Sequence, residues 1–195
     1  MNFQRICVFC GSNSGTNPAY RDTAVTMGRL LSERGIELVY GGGNVGLMGV
    51  LADAVLASGG KVIGVIPESL MAKEIGHHGL TDLRIVQSMH ERKSLMADLS
   101  DGFIAMPGGF GTFEEFCEVV TWSQLGIHAK PCGLLNVNGY YDPLLELFDH
   151  AVREGFLRKE NRRLVLEDRD PERLLKKMAD FAPIPADKWI WKVER

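Results

Sequence analysis

The residues best suited to chemistry lie in one stretch, Pro107-Gly108-Gly109-Phe110-Gly111-Thr112-Phe113-Glu114-Glu115. Glycines at 108, 109 and 111 let backbone approach a bound molecule closely. A helix opening here turns its free N–H groups and the positive end of its dipole toward an anion, most naturally a phosphate. A capping box, with Thr112 as N-cap and Glu115 three residues later, accounts for two of the side chains but not for the glycines. A carboxylate beside a phosphate cradle is electrostatically awkward unless it acts on the bound molecule, which makes Glu115 the first catalytic candidate. Upstream, Ser88-Met89-His90-Glu91 reads as the start of another helix, with Glu91 as reciprocal cap and Arg92 and Lys93 directly after it. Two cations near a helix N-terminus oppose the macrodipole. Either both point into solvent, or a guanidinium and an ammonium hold phosphate or ribose oxygens there.

Two further glycine-rich loops accompany this one. Gly11-Ser12-Asn13-Ser14-Gly15-Thr16 and Gly41-Gly42-Gly43-Asn44-Val45-Gly46-Leu47-Met48-Gly49 each follow a short apolar run. In them Gly11, Ser12, Gly42, Gly43, Gly46 and Met48 are candidate phosphate or ribose contacts. Any one loop reads equally well as a tight turn that needs positive φ; three after three strands argue for a shared ligand. Gly41-x-Gly43-x-x-Gly46 also satisfies the dinucleotide fingerprint, with Glu68 as its acid. That fingerprint belongs after the first strand, whereas this one follows the second, which disfavours a nicotinamide oxidoreductase.

The elements that must position these loops follow from hydrophobic patterning. Near-continuous apolar runs predict strands at Ile6–Cys10, Glu37–Tyr40, Lys61–Ile66, Gly102–Met106 and Cys132–Asn136, buried on both faces. Amphipathic stretches predict helices at Tyr20–Arg34, Gly46–Ser58, Met89–Ser100, Thr112–Leu125, Tyr141–Glu154 and Pro171–Phe181. Gly35, Gly59-Gly60 and Gly155 read as their C-terminal stops. Alternating strands and crossover helices imply an α/β, doubly wound, Rossmann-like parallel sheet with helices on both faces. Residues 1–195 read as a single domain, with a tail from about Pro183 whose Trp189 and Trp191 are expected to pack against the body or a partner subunit. In such sheets ligands bind beyond the carboxyl ends of the strands, where the strand order reverses.

Composition narrows the partners. The chain has 195 residues, 45% hydrophobic and 24% charged, with 22 basic against 25 acidic residues and a net charge of −3. No Lys/Arg block supports a nucleic-acid or membrane surface, and no apolar run approaches the roughly 20 residues that span a bilayer. No secretory leader is legible, so a cytoplasmic setting and a small-molecule partner are expected. Cys7, Cys10, Cys117 and Cys132 read as reduced core residues, because the spacing of Cys7 and Cys10 within a strand points them to opposite faces. His77, His78, His90, His128 and His150 show no ligand spacing, and no metal or cofactor is expected. Met48, Met71, Met89 and Met96 read as core filler or as the lining of an apolar base pocket.

Taken together, these motifs resemble the LOG (Lonely Guy) family of cytokinin riboside 5′-monophosphate phosphoribohydrolases. The resemblance rests on Pro107–Glu115, matching the family's PGGxGTxxE, and on Met89-His90-Glu91-Arg92-Lys93. It extends through Cys7–Ser12, Leu38–Gly49, Ile66–Ile75, Thr121–His128 and Leu134–Tyr141. It implies a Rossmann-like fold, a homodimer with sites near the subunit interface, and hydrolysis of a nucleoside 5′-monophosphate to free base and ribose 5-phosphate. It implies Arg92 and Glu115 as the catalytic pair. Substrate contacts are implied for Glu74, Arg92, Lys93, Gly109, Phe110, Gly111, Thr112, Phe113, Glu114, Glu115 and Thr121. Relatives of this kind have carried the label lysine decarboxylase, a chemistry that needs pyridoxal phosphate on a Schiff-base lysine; the motif loops offer only Lys93. A general purine or pyrimidine nucleotide nucleosidase remains open, as does a non-catalytic nucleotide or molybdenum-cofactor carrier, which would not need Glu115.

Overall fold

The computed structural model describes residues 2–74, 76–77 and 79–183, the side chains of 72–74 excepted. Strands and helices alternate along the chain: β1 (Arg5–Phe9), α1 (Pro18–Glu33), β2 (Glu37–Tyr40), α2 (Gly46–Ala57), β3 (Val62–Pro67), α3 (Glu68–Glu74), β4 (Asp82–Val86) and α4 (Met89–Leu99). They continue with β5 (Gly102–Ala105), α5 (Phe110–Gln124), β6 (Cys132–Leu135), α6 (Asp142–Arg153), α7 (Lys159–Arg162), β7 (Val165–Asp168) and α8 (Pro171–Ala179), with a 3-10 turn at Val137–Gly139. All strand pairs are parallel, in the order β4-β3-β2-β1-β5-β6-β7. The order reverses between β1 and β5, where the expected binding crevice opens.

Period-two alternation sorts the strand side chains between two cores. Ile6, Val8 and Cys10 join Met27, Leu31, Leu51 and Leu174 under α1, α2 and α8. Cys7 and Phe9 join Met96, Phe116, Val119 and Leu145 under α4, α5 and α6. Truncating a fully buried side chain such as Leu51 or Phe116 to alanine costs about 2–5 kcal/mol. Cys7 and Cys10 do lie on opposite faces, and Cys132 is buried with them. Cys117 corrects the expectation: it is exposed, on the outward side of α5.

The sheet has two strands more than patterning predicts. Asp82-Leu83-Arg84-Ile85-Val86 and Val165-Leu166-Glu167-Asp168 carry charges that broke the apolar signal, and both form edges, where charge is tolerated and discourages further pairing. On β7 the carbonyls of Val165 and Glu167 accept hydrogen bonds from Arg162 Nη1 at 3.4 Å and Lys177 Nζ at 2.7 Å. The short helices α3 and α7 were also not foreseen. Gly35, Gly59 and Gly155 have φ of 66°, 77° and 79° and end their helices as expected, while α8 stops at Ala179 rather than Phe181. The expected packing of Trp189 and Trp191 lies outside the described residues. Among the described residues no helix is long and apolar enough to cross a membrane, and no group of three or more His, Cys, Asp or Glu is placed to hold a metal ion.

Candidate active site

The loops after β1 and β5 meet at the point of strand reversal. Gly11 N donates to Pro107 O at 3.0 Å, and Leu47 N donates to Gly11 O at 3.0 Å, tying in the start of α2. Between them lies a cavity of about 300 Å³ lined by residues 11–15, Leu47, Pro107–Gly109 and the rings of Tyr20 and Tyr140. Its glycines divide by cause. Gly108 is enforced by the fold, because a Cβ there would collide with Thr112 Oγ1 and Cβ. At Gly109 and Gly111 a Cβ would meet nothing within 4 Å, and neither has positive φ. Their bare backbone leaves open space at the N-terminus of α5, where the first N–H groups have no intrahelical acceptor.

Gly109 is the N-cap of α5, so Thr112 is not. The helix starts three residues earlier than a cap at Thr112 would place it, which puts Thr112 in the first turn, 3% exposed against Gly108. Glu115 is thereby released from the capping box. The box at α4 is real: Ser88 Oγ accepts from Glu91 N at 3.1 Å, and Glu91 Oε2 accepts from Gln87 N at 2.8 Å, one residue ahead of the cap itself.

That cap fixes the two cations after it on different sides of α4. Arg92 turns inward and is buried, with Nε donating to Val65 O at 3.1 Å and Nη2 to Gly41 O at 3.3 Å. Its Nη1 lies 3.5 Å from Glu115 Oε1, and these two side chains are 8% and 12% exposed. Gly41 is glycine for this reason, since a Cβ would collide with the Arg92 guanidinium. Burial raises the thiol pKa values of Cys7 and Cys10, and the Glu115 charge adds to it. Met89 Sδ is 3.9 Å from Arg92 Nη1, with Met89 41% exposed, whereas Met48 and Met96 are core residues.

Lys93 turns the other way. Its ammonium bonds Glu114 Oε1 at 2.6 Å and Glu118 Oε2 at 3.0 Å. Burial works against its charge, but the bonds to Glu114 and Glu118 outweigh that and hold its pKa above the usual lysine value. Glu114, Glu118 and Thr121 share one face of α5, about 100° round the helix from Glu115; Thr121 is exposed and its Oγ1 donates to Cys117 O at 2.7 Å. Phe110 is 92% exposed, while Phe113 is partly buried against Tyr140. Within one chain, then, Arg92 faces Glu115 and Thr112 packs on Gly108 at the cavity wall, whereas Lys93, Glu114 and Thr121 group separately. Glu74 ends α3, and its side chain lies outside the described residues.

The second glycine loop is held by protein rather than opened to a ligand. Gly42, at φ 78°, accepts from His77 N at 3.1 Å, and Gly43 bridges Gly76. Gly46 packs on the Ser12–Asn13 backbone, where a Cβ would collide. Sequence reading missed Tyr20 and Tyr140 in the cavity wall. Tyr140 follows a strand at its carboxyl end, the same positional rule that picked out the loops, but no glycine marks it. His77 is buried and 2.9 Å from Asp53 Oδ1.

A second cleft, of about 500 Å³, opens past β6 and β7 and is lined mainly by charged groups, among them Asp142, Asp168, Arg169, Arg173 and Lys177. Asp168 lies 3.0 Å from both Arg173 Nη2 and Lys177 Nζ, and Asp142 lies 3.1 Å from Arg169 Nη2. Partial burial works against the Asp168 charge, but the Asp170 amide, Lys177 and Arg173 overcome it and lower its pKa to about 2.

A family model described as possible lysine decarboxylase matches residues 48–178. Among curated proteins, a probable cytokinin riboside 5′-monophosphate phosphoribohydrolase of Oryza sativa subsp. japonica is 55% identical over 179 residues, covering 92% of this chain and 80% of that protein. The cytokinin riboside 5′-monophosphate phosphoribohydrolase LOG of the same plant is 52% identical, covering 97% and 78%. A cytokinin riboside 5′-monophosphate phosphoribohydrolase of Arabidopsis thaliana is 50% identical, covering 99% and 91%. Among solved structures, the molybdenum cofactor binding protein of Rippkaea orientalis aligns with TM-score 0.68 at 22% identity, covering 92% of this chain and 98% of that one. The molybdenum cofactor carrier protein of Chlamydomonas reinhardtii aligns with TM-score 0.68 at 20% identity, covering 91% and 98%. These two likenesses establish the fold alone.

Proposed function

The chain belongs to the LOG family of cytokinin riboside 5′-monophosphate phosphoribohydrolases, and from that premise we propose how its residues carry out the family's reaction. The protein is an N-glycosyl hydrolase that cleaves a nucleoside 5′-monophosphate to free adenine-type base and ribose 5-phosphate. The observation that carries the residue assignment is the buried Arg92–Glu115 pair, 3.5 Å apart. Glu115 stands about one and two-thirds turns along α5 from Gly109, which lines the cavity.

Cleavage breaks the C1′–N bond, the electron pair leaves with the base nitrogen, and a water oxygen bonds to C1′. Positive charge builds on the ribose as the bond breaks. Glu115, as a carboxylate, stabilises that charge and takes the proton of the attacking water; the departing base nitrogen gains a proton from solvent water and Glu115 returns its own to solvent, so that the base leaves neutral and the carboxylate is restored. Arg92 is a poor acid because its pKa exceeds about 12; anchored on the carbonyls of Val65 and Gly41, it holds Glu115 in place and offers Nη1 to substrate. The phosphate is bound by Ser12, Thr112 and the N–H groups at Gly109–Gly111, and this remote binding orients the ribose.

The reading includes one domain acting as a homodimer. Lys93, Glu114 and Thr121 lie on the outer face of α5 and α4, beside the exposed Phe110, Leu125 and Ile127. From there they would reach a nucleotide in the site of a second copy. A cytoplasmic setting is supported by Cys7, Cys10 and Cys132 being buried free thiols. Lysine decarboxylation does not fit the residues in place: a Schiff-base lysine needs a readily deprotonated amine, and Lys93 is held above the usual lysine pKa by two carboxylates.

The test is to incubate the protein with AMP and with isopentenyladenosine 5′-monophosphate and to quantify both products. Equimolar base and ribose 5-phosphate are expected, and the ratio of the two rates reports preference at the N6 position. Base released without ribose 5-phosphate, or no release from either nucleotide, contradicts the reading.

A further inference from the structure

The loop from Met106 to Gly109 is suspended by its carbonyls. Tyr141 Oη donates to Met106 O at 2.6 Å, Gly11 N donates to Pro107 O at 3.0 Å, Tyr140 Oη donates to Gly108 O, and Phe113 N donates to Gly109 O at 3.1 Å. Four successive carbonyls are thus held, two of them by consecutive tyrosines from the turn after β6. That turn is itself fixed, since Asn136 Oδ1 accepts from Tyr141 N at 2.7 Å and Asn136 Nδ2 donates to Asp142 Oδ1 at 2.6 Å.

The two tyrosines differ in what their carbonyls control. A peptide unit is planar and trans, so fixing the C=O of one residue fixes the next N–H in the opposite direction. After Met106 comes Pro107, which has no N–H to aim. After Gly108 comes Gly109, the N-cap of α5, whose backbone borders both the cavity and open space. Tyr141 is fully buried, whereas Tyr140 lines the cavity, edge-on to Tyr20 at 5.8 Å and stacked on Phe113 at 6.4 Å. The Tyr140 ring is held by these neighbours independently of its hydroxyl.

We propose that Tyr140 is a positioning residue for phosphate: through its bond to Gly108 O it sets the direction of the Gly109 N–H and so the affinity of the α5 N-terminus for the 5′-phosphate. This rests on the nucleotide-hydrolase reading above. Tyr141, with the same hydroxyl-to-carbonyl contact but a proline after it, supports the loop without aiming a donor.

The test compares Tyr140→Phe with Tyr141→Phe, by calorimetric binding of ribose 5-phosphate and of inorganic phosphate, and by steady-state kinetics. Tyr140→Phe is expected to weaken both ligands and to raise KM by about 10-fold, the worth of one misdirected hydrogen bond to a charged group, with kcat within about twofold. Tyr141→Phe is expected to lower Tm and leave both affinities unchanged. Equal phosphate affinity in Tyr140→Phe and the unaltered protein overturns the role of Tyr140 alone. Equal loss of affinity in both variants also overturns it, because it reduces the two hydroxyls to a common structural support. If the unaltered protein binds neither ligand, the functional reading fails and this one with it.

Discussion

Two clefts open at the carboxyl end of the same sheet, and they are built on opposite principles. The cleft past β6 and β7 is the larger and more highly charged, at about 500 Å³. Its charges answer one another: Asp168 meets Arg173 and Lys177 at 3.0 Å, and Asp142 meets Arg169 at 3.1 Å and Asn136 at 2.6 Å. These bonds tie β7 to α8 and α6, which is structural work. The cavity between β1 and β5 is smaller, about 300 Å³, and the ion pair between α4 and α5 is longer. Arg92 is pinned by two backbone carbonyls, so Glu115 stays 3.5 Å away. Burying such a pair is costly and contributes little to stability, and Gly111 in the first turn of α5 weakens that helix without any steric need. Charge and volume do not mark the site; groups held in place at the expense of stability do.

The contrast can be broken by exchanging equivalent groups in the two clefts. Arg92→Lys keeps the charge but loses the fork that spans Val65 O, Gly41 O and Glu115, and turnover should fall on the order of 100-fold. Arg173→Lys in the other cleft should leave turnover unchanged. Similar kinetics for the two variants would erase the distinction drawn between them.

Gly111→Ala sharpens the comparison because stability and activity should move in opposite directions. Alanine fits the open space and improves the helix by about 0.5–1 kcal/mol, so Tm should rise while the nucleotide KM rises about fivefold from crowding of the phosphate. A higher Tm with unchanged KM would make this glycine incidental.

The smallest effect concerns pH. The folded state lowers the Asp168 pKa from 3.8 to about 2, so its contribution is present above the unfolded value and is lost as pH falls from about 4 to about 2. Asp168→Asn lacks that contribution. Its Tm deficit against the unaltered protein should be largest near neutral pH and shrink across this window, with turnover at neutral pH unaffected. A constant deficit would remove the carboxylate charge from the account.

Much of this was legible in the sequence, for identifiable reasons. The five inner strands are buried on both faces and announce themselves as apolar runs, while β4 and β7 carry charges because they are edges. Glu115 stood out because a carboxylate beside a glycine loop needs explanation. The separation of Arg92 from Lys93 was not readable, since it depends on where Ser88 fixes the start of α4 and on Gly41 making room 51 residues away. The early start of α5 was hidden by a capping box that fits Thr112 and Glu115 but is not used. Tyr140 was invisible because its role lies in a hydroxyl-to-carbonyl contact across 32 residues.

The central claim is that Glu115 acts on the nucleotide rather than on the fold, and Glu115→Gln tests it most directly. The variant should melt near the unaltered protein and bind ribose 5-phosphate with similar affinity, while base release from the nucleotide falls by about 10²–10⁴-fold. Base release within a few-fold of normal, in a variant that still binds ribose 5-phosphate, would contradict the account.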